Sequence, residues 1–266
     1  CGEVMRLPAM GASLRAVAVG GRDALYGGPL GAAMADAVAA GGGWLTADDI
    51  ARHRGRWVAP IGIDVLGTRV WQCPPPGQGL ATLIALGIAG GWMADRAVGA
   101  GRWGGHAGAA DAAGPWPWGG VDHLHHLVEA MRLGFADAEA HVADPDVYAA
   151  PIATLLDDAY LTRRRGLVSA ERAMAAPATG VPGPGGTVYL AVVDGDGNGC
   201  SFIQSNYMGF GSGLVAGDTG IPLQNRGAGF TLAPGHPNRL AGGRRPFHTI
   251  IPGLATRPDG SLLAVF

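Results

Sequence analysis

The chain has 266 residues, of which 48% are hydrophobic and 15% are charged, so it can bury a core as one large domain or as two. Its formal net charge of −2 gives no indication of binding to nucleic acid or to an anionic membrane surface. All 19 cationic side chains are arginines, which excludes catalysis by lysine, and no apolar run reaches the roughly 18–20 residues of a membrane span.

The first segments have the apolar spacing of helices. This spacing predicts one helix from Pro8 to Gly21 and another from Ala24 to Gly41. The apolar residues expected on their buried faces are Leu14, Val17, Leu30, Met34 and Val38. Thr46, followed by acidic residues, predicts the N-cap of a short helix that ends near Arg54.

A β-hairpin and an apolar helix are predicted next. Segments 57–65 and 68–72 alternate around Leu66-Gly67, as paired strands do. The rigid turn 73–79 leads into an apolar helix from Leu80 to about Gly90. This turn lacks the Gly-Lys-Ser/Thr sequence of a phosphate-binding loop, so we interpret it as a packing feature. Residues 99–120 form a low-complexity insertion, which we expect to be a surface loop.

A strong helix is predicted from Val121 to about Val142. The residues expected on its buried face are Leu124, Leu127, Val128, Met131, Phe135 and Ala138. Of the histidines at 123, 125 and 126, two share a face but have no second pair of ligands, so we favour a solvated or capped cluster over a metal site. A further helix is expected from Pro151 to Arg165, after Asp144-Pro145.

The cysteines also give no indication of a metal or a cofactor. Cys1, Cys73 and Cys200 lack the spacing of a zinc site, and three cysteines cannot all pair with one another. Neither a metal nor a disulfide framework is therefore predicted.

The stretch 185–213 carries the most informative chemistry. Strand-forming residues from Thr187 to Val193, a run of turn formers and a second strand from Cys200 to Gln204 predict a hairpin. A loop rich in Pro, Gly and Ala enters this hairpin through Gly185-Gly186, so a hydroxyl residue stands first in the strand. If the bond before Thr187 is cut, its α-amine, with a reference pKa of about 7.7–8.0, can accept the hydroxyl proton. An ordinary loop that meets a strand is the alternative.

The same region fits two other chemistries less well. Asp194 to Gly199 matches the first half of a calcium loop, but Ser205 stands where the bidentate Glu is required, so we interpret it as a turn. A non-catalytic calcium-binding or interaction module remains the alternative from another class. A serine-hydrolase elbow needs Gly-x-Ser-x-Gly, and neither Ser201 nor Ser212 has both glycines.

Several long motifs resemble the γ-glutamyltransferase family in the order in which that family has them. Segments similar to its large subunit include CPPPGQGLATLIAL and HLVEAMRLGFADAEAHVADPDVY, and segments similar to its small subunit include GGTVYLAVVDGDGNGCSFIQSNYMGFGSG, QNRGAGF and GGRRPFHTIIP. The resemblance implies an α+β N-terminal-nucleophile hydrolase, a four-layer α/β/β/α sandwich made as a single precursor that cuts itself. Residues 1–186 would be the mostly helical C-terminal part of the large subunit, ending in the processing loop. Residues 187–266 would be the β-rich N-terminal part of the small subunit, and both ends of the chain look cut.

The activity that this resemblance implies starts from Thr187. Cleavage at Gly186–Thr187 would free Thr187 to attack a γ-glutamyl amide, with glutathione as the leading substrate, and to pass the acyl group to water, an amino acid or a peptide. No cofactor is implied, and the partners are the small-molecule substrate and the two subunits of the same precursor. The substrate pocket, carried over by position, would include Ser205, Tyr207, Arg226, Gly229, His248 and Thr249.

The chain departs from the typical family pattern at several of these positions. Val188 replaces a second Thr, Tyr207 replaces an Asn, and His248-Thr249 replace a Ser-Ser pair. Gly229 stands where a carboxylate would hold the substrate ammonium group, a contact worth about 1.5–3 kcal/mol. The pattern therefore resembles the divergent branch that includes glutaryl (cephalosporin) acylases, and such an acylase is the alternative within the enzyme class.

Two further family elements fall beyond the matched motifs. The arginine that binds the substrate α-carboxylate would precede Cys1, and the Gly-Gly oxyanion hole would follow Phe266. An oxyanion donor commonly contributes about 10²–10³ in rate, so residues 1–266 alone are expected to be a poor catalyst.

Overall fold

The computed structural model describes residues 2–100, 119–175 and 185–266. Within these ranges it contains seven α-helices and six β-strands, which confirms the predicted α+β class. The helices are α1 (Pro8–Tyr26), α2 (Pro29–Ala40), α3 (Ala47–Arg52), α4 (Gly79–Ala100), α5 (Val121–His141), α6 (Ile152–Leu155) and α7 (Asp158–Arg165). The strands are β1 (Ile61–Val65), β2 (Thr68–Gln72), β3 (Gly185–Val193), β4 (Gly199–Met208), β5 (Gly253–Thr256) and β6 (Leu262–Val265).

The chain divides into two compact units. Unit 1 comprises Cys1–Trp57, Pro182–Thr187 and Ser205–Arg226, and unit 2 comprises Val58–Val181, Val188–Gln204 and Gly227–Phe266. Both units take segments from before and after Thr187. The division expected at residue 186 concerns cleavage of the chain and stays a prediction.

In unit 1, the first two helices have different limits from those predicted. α1 continues to Tyr26, although Gly21 interrupts it with φ 61° and ψ −149°. The break comes at Gly27-Gly28, and Pro29 then begins α2 at a position where its missing N–H costs no hydrogen bond. The predicted cap of α3 is confirmed: Thr46 Oγ1 accepts from the Asp49 N–H at 3.2 Å, and Asp49 Oδ2 accepts from the Thr46 N–H at 3.0 Å.

The buried positions of α1 and α2 are mostly small residues, so the predicted apolar face is partly wrong. Leu14 is 62% exposed, whereas Ser13, Gly31 and Ala35 are buried. A Cβ on Gly31 would lie 2.5 Å from the Leu25 carbonyl oxygen, so only glycine fits there. The contact between α1 and α2 therefore depends on close approach of their backbones and not on a stripe of large side chains.

In unit 2, a four-stranded antiparallel sheet has the order β1-β2-β5-β6. β1 and β2 form the predicted hairpin, although its first strand begins at Ile61 and not at residue 57. Leu66 and Gly67 at its turn both have positive φ, 51° and 75°, as a two-residue type I′ connection requires. Trp71 Nε1 donates to Thr256 Oγ1 at 3.0 Å across β2 and β5.

Helices α4 and α5 form the core of unit 2. Leu80, Ile84 and Ile88 of α4 are fully buried, and α4 runs beyond its predicted end at Gly90. A Cβ on Gly134 of α5 would lie 2.5 Å from the Ala81 carbonyl oxygen, so the two backbones touch at this point. A glycine is therefore required where α5 crosses α4.

The predicted buried face of α5 is partly wrong: Ala138 is buried and Leu127 and Phe135 pack against the core, but the other three residues are exposed. Leu124, Val128 and Met131 are 52%, 56% and 40% exposed. The residues that are buried are His123, His126, Glu129, Ala130, Leu133, Gly134, Asp137 and Ala138. Small residues bring α4 close, and the buried carboxylates of Glu129 and Asp137 pair with Arg132 and Arg164, so charged and small residues share this face with Leu133.

The histidines at the start of α5 are capped by main-chain groups but are not solvated. His123 and His126 are each 6% exposed. His123 Nδ1 accepts from the Gly119 N–H at 3.1 Å, and His126 Nδ1 lies 2.7 Å from the Asp122 carbonyl oxygen, to which it donates. Among the residues that the structure describes, no three His, Cys, Asp or Glu side chains gather as metal ligands would.

The segment after α5 is held by the buried carboxylate of Asp144. Its Oδ1 accepts from Arg245 Nη2 at 2.6 Å and Nε at 3.1 Å, and its Oδ2 accepts from the Arg245 N–H at 2.8 Å. Burial acts to raise the pKa of Asp144, but these hydrogen bonds and the Arg245 charge outweigh it and hold the pKa below its usual value.

The helix predicted from Pro151 to Arg165 is two helices, α6 and α7. Asp157 separates them because its Oδ1 accepts from the Ala159 and Tyr160 N–H groups and so caps α7. The predicted loop at 99–120 lies almost wholly outside the described residues. None of the described helices is both long enough and apolar enough to cross a membrane.

We predict that Asp144 makes stability depend on acid pH. A carboxyl whose folded pKa is lowered stabilises the fold above its unfolded pKa, and this contribution is lost as the pH falls below about 4. Asp144→Asn should therefore lower the free energy of unfolding by about 1–3 kcal/mol at pH 7, and the difference from wild type should shrink by pH 3. Urea titrations at pH 7, 5 and 3 measure this.

The matched control is Asp64→Asn, because Asp64 forms an ion pair with Arg69 at 2.8 Å but its side chain is 75% exposed. This variant should change stability little at any pH. An equal loss for Asp144→Asn at pH 7 and pH 3 would contradict the role assigned to its charge.

Candidate functional site

Strands β3 and β4 form the two-stranded hairpin predicted around the functional stretch. At its turn, Asp194 Oδ1 accepts from the Asp196 N–H at 3.0 Å and the Asn198 N–H at 2.8 Å, and Oδ2 accepts from Asn198 Nδ2 at 2.8 Å. The carboxylate therefore organises the turn itself. This geometry confirms the interpretation of 194–199 as a turn.

Thr187 lies at the start of this hairpin, directly after Gly185 and Gly186 in β3. Its Oγ1 donates a hydrogen bond to Ser205 Oγ on β4 at 3.0 Å. Ser205 Oγ also accepts from the Tyr207 N–H at 2.9 Å. The Thr187 hydroxyl is thus exposed yet oriented by a hydroxyl that the backbone fixes in turn.

Tyr207 and Arg226 lie next to this pair in unit 1. Tyr207 has φ 78°, a left-handed conformation that is uncommon for a bulky residue and several-fold more common for Asn. The Arg226 Cζ lies 4.4 Å from the centroid of the Tyr207 ring, and Arg226 is only 4% exposed. The cation–π contact offsets part of the cost of the strained tyrosine backbone.

Arg226 is a buried cation, and hydrogen bonds of the adjacent Asn225 fix the segment that carries it. Burial lowers the pKa of the Arg226 guanidinium and Tyr207 acts to raise it, and the group stays a cation at neutral pH. Asn225 Oδ1 accepts from the Met208 N–H at 3.1 Å, and the Asn225 N–H donates to the Asn206 carbonyl at 3.2 Å. These bonds join the end of β4 to the segment that carries Arg226.

Four of the predicted site residues, Thr187, Ser205, Tyr207 and Arg226, are therefore linked by direct contacts within unit 1. Gly229, His248 and Thr249 belong to unit 2. All three are partly buried, and the His248 N–H donates to the Pro76 carbonyl at 2.8 Å, which ties this segment to the turn before α4.

Asn238 organises the unit 2 group, and sequence reasoning missed it. Its Nδ2 donates to the Gly229 carbonyl at 2.7 Å, and its Oδ1 accepts from the Phe247 N–H at 3.1 Å. The side chain is buried, so both amide atoms are used in joining these two segments. The only signal in the sequence was its place in the turn-rich run PGHPN, which does not indicate a partner.

The space beside Gly229 is filled by backbone. A Cβ at this position would lie 2.7 Å from the Phe247 carbonyl oxygen. Real Cβ atoms do not approach so closely, so an acidic side chain would fit only if the backbone moved. The close approach of the backbone at this position therefore requires glycine.

Comparison with known proteins places these features in a family. The family model described as Gamma-glutamyltranspeptidase matches residues 1–266. The oxamate amidohydrolase proenzyme of Klebsiella pneumoniae is 38% identical over 262 residues, covering 98% of this chain and 45% of its own length. The glutathione hydrolase-like YwrD proenzyme of Bacillus subtilis is 36% identical over 245 residues, covering 92% of this chain and 42% of its own length.

A solved structure supports the same assignment. The crystal structure of cephalosporin acylase from Bacillus halodurans matches with a TM-score of 0.79 and 41% identity, over 98% of this chain and 44% of that chain. The predicted N-terminal-nucleophile hydrolase fold is thereby confirmed. The chain spans less than half the length of these relatives. Because the family model matches from the first residue to the last, the chain belongs to the γ-glutamyltranspeptidase family.

Proposed function

We propose that the full-length protein is an amide hydrolase or acyltransferase in which Thr187 is the nucleophile. The observation that carries this proposal is the hydrogen bond from Thr187 Oγ1 to Ser205 Oγ at 3.0 Å, at a strand entered through two glycines. The names of the relatives support it, since they include a glutathione hydrolase-like proenzyme and an oxamate amidohydrolase proenzyme.

The first step is cleavage of the chain between Gly186 and Thr187. Thr187 Oγ1 attacks the Gly186 carbonyl carbon, the C–N bond breaks, and the hydroxyl proton passes to the departing amine. Water then hydrolyses the resulting ester, leaving a carboxylate on Gly186 and a free α-amine and hydroxyl on Thr187. Residues up to Gly186 and residues from Thr187 onward thereby come to belong to two subunits of one precursor.

The second step is turnover of a small-molecule amide. The free α-amine of Thr187, with a reference pKa of about 7.7–8.0, takes the hydroxyl proton as the oxygen attacks the substrate carbonyl. The amine product leaves with a proton, and an acyl ester remains on Thr187. Water hydrolyses this ester, or an amino acid or peptide amine accepts the acyl group. Ser205 orients the nucleophile in both steps.

The substrate pocket is proposed to include Ser205, Tyr207 and Arg226, with Gly229, His248 and Thr249 added by resemblance. The buried Arg226 cation favours an acyl group that carries a carboxylate. Two acyl donors fit this requirement: a γ-glutamyl group, as in glutathione, and a glutaryl-type group. The backbone beside Gly229 leaves no room for an acidic side chain to hold an ammonium group, and this favours the glutaryl-type acyl group.

We predict that Thr187→Ala abolishes both cleavage and turnover, because it removes the attacking oxygen. Thr187→Ser keeps that oxygen and should still be cut, more slowly. Intact-mass measurement and N-terminal sequencing of the full-length protein check this, and the new terminus in wild type should be Thr-Val-Tyr-Leu. Val188→Ala, at the exposed neighbouring position, is the control and should be cut normally. If the wild-type chain stays intact, or if the Thr187→Ala variant hydrolyses substrate, then Thr187 is not the nucleophile.

We predict that Ser205→Ala slows cleavage and turnover by about two- to twelvefold. One hydrogen bond contributes about 0.5–1.5 kcal/mol, and its loss leaves the Thr187 hydroxyl without its oriented partner. Single-turnover rates measure the effect. Ser201→Ala is the control, because Ser201 lies on the same strand but bonds to the Phe266 carbonyl. Equal rates for the two variants would show that Ser205 does not orient the Thr187 hydroxyl.

We predict that the cleaved protein hydrolyses glutaryl-p-nitroanilide with a higher kcat/KM than γ-glutamyl-p-nitroanilide. The two substrates differ in the α-amino group, and burying its ammonium charge without an acidic partner should cost about 1.5–3 kcal/mol, or about 10- to 150-fold in kcat/KM. Release of p-nitroaniline measures both rates. A preference for the γ-glutamyl substrate would instead favour the glutathione-type activity.

A further inference from the structure

A cavity of about 290 Å³ lies within unit 2, between the segment that follows α5 and residues 235–244. The polar side chains that line it are those of Tyr148, His236, Arg239 and Arg244, and the described lining contains no acidic side chain. We call it the arginine cavity. It shares no residue with the candidate functional site, so its positive charge needs a separate explanation.

The wall that carries Tyr148 is fixed by the buried Asp144. The N–H groups of Val147 and Tyr148 donate to the Asp144 carbonyl at 3.1 and 3.0 Å. The Asp144 carboxylate in turn binds both the side chain and the N–H of Arg245, which follows Arg244 in the chain. A buried ion pair therefore joins the two walls, so the arginine cavity is formed before any ligand arrives.

The opposite wall orients the ring of His236. The Asn238 N–H donates to His236 Nδ1 at 3.0 Å, and the Arg239 N–H donates to the His236 carbonyl at 3.1 Å. Because Nδ1 accepts a hydrogen bond, the proton of the imidazole is on Nε2. Nε2 is therefore a hydrogen-bond donor that a ligand can use.

Arg239 and Arg244 add two positive charges that have no carboxylate partner among the residues described. Arg239 is exposed, and the Arg244 guanidinium donates a long bond of 3.5 Å to a main-chain carbonyl. The acidic groups of the facing segment, Asp144 and Asp146, bind Arg245 at 2.6 and 3.0 Å. Two like charges beside one cavity repel each other, and an anion placed between them would relieve this repulsion.

We propose that the arginine cavity binds a small molecule that carries a carboxylate or phosphate group. The oxygens of either group accept hydrogen bonds from the guanidinium forks, and His236 Nε2 supplies a further donor. A volume of about 290 Å³ is at the lower limit for ligand pockets, so the ligand is a small molecule and not a peptide. The proposal concerns unit 2 alone and does not depend on cleavage before Thr187.

The test is calorimetric titration of the full-length protein with inorganic phosphate and, separately, with glutarate. At least one of these anions should bind with a Kd on the order of 0.1–1 mM, and the one that binds identifies the group. Arg239→Gln and Arg244→Gln should each weaken this binding by about tenfold, because each removes a charge-assisted hydrogen bond. Arg244→Lys should be intermediate, since it keeps the charge but loses the planar fork.

The matched control is Arg15→Gln, which removes the same charge from an exposed position in unit 1 and should bind as wild type does. Thermal unfolding provides a second readout. Arg239→Gln should unfold at the wild-type temperature without an anion, because the Arg239 side chain has no acidic partner in the described part of the chain. The anion that binds should raise the Tm of wild type more than that of Arg239→Gln.

Equal anion binding by Arg239→Gln, Arg244→Gln and Arg15→Gln would overturn the proposal, as would the absence of binding of both anions up to about 10 mM. Glutarate also resembles an acyl product of the proposed function. If glutarate alone binds and Arg239→Gln leaves its affinity unchanged, it occupies a different site and the arginine cavity is refuted. A wild-type chain that is never cut would contradict the proposed function only, since both titrations can be made on the uncut chain.

Discussion

Unit 2 depends on a constraint on charge: acidic groups buried on and after α5 must each have a partner of opposite charge. Glu129, Asp137 and Asp144 are 1%, 7% and 3% exposed, and each pairs with an arginine at 2.6–2.8 Å. The partners are Arg132, Arg164 and Arg245. Removing one member of such a pair would leave a buried charge unsatisfied, so these pairs fix which segments lie against α5.

Arginine suits this role because its planar fork can bond a carboxylate and a main-chain carbonyl together. Arg132 bonds Glu129 and the Met174 carbonyl, and Arg164 bonds Asp137 and the Leu133 carbonyl. A lysine ammonium is a compact charge without that fixed geometry. All the cationic side chains of this sequence are arginines, and at Arg132 and Arg164 this geometry is used to bind segments that pack against α5.

Prediction from sequence succeeded where short-range chemistry decides the structure. The Thr46 capping box, the turn at Asp194 and the α5 helix itself all follow from residue type and spacing. The prediction was only partly right for the buried face of α5, where Ala138 is buried but Glu129 and Asp137 are buried as well, because apolar spacing gives no weight to paired charges or to the backbone contact at Gly134. The role of Asn238 was equally hidden, since it joins two segments through bonds that no local pattern contains.

His125, Glu129 and Arg132 of α5 bind atoms that nearly every amino acid possesses. They contact the Ser169 carbonyl and both main-chain groups of Met174, so the four residues between these points can change identity without altering the course of the chain. A protease site or a dye-bearing cysteine could be engineered there. Proline at 174 is the exception, because it has no amide hydrogen to offer Glu129.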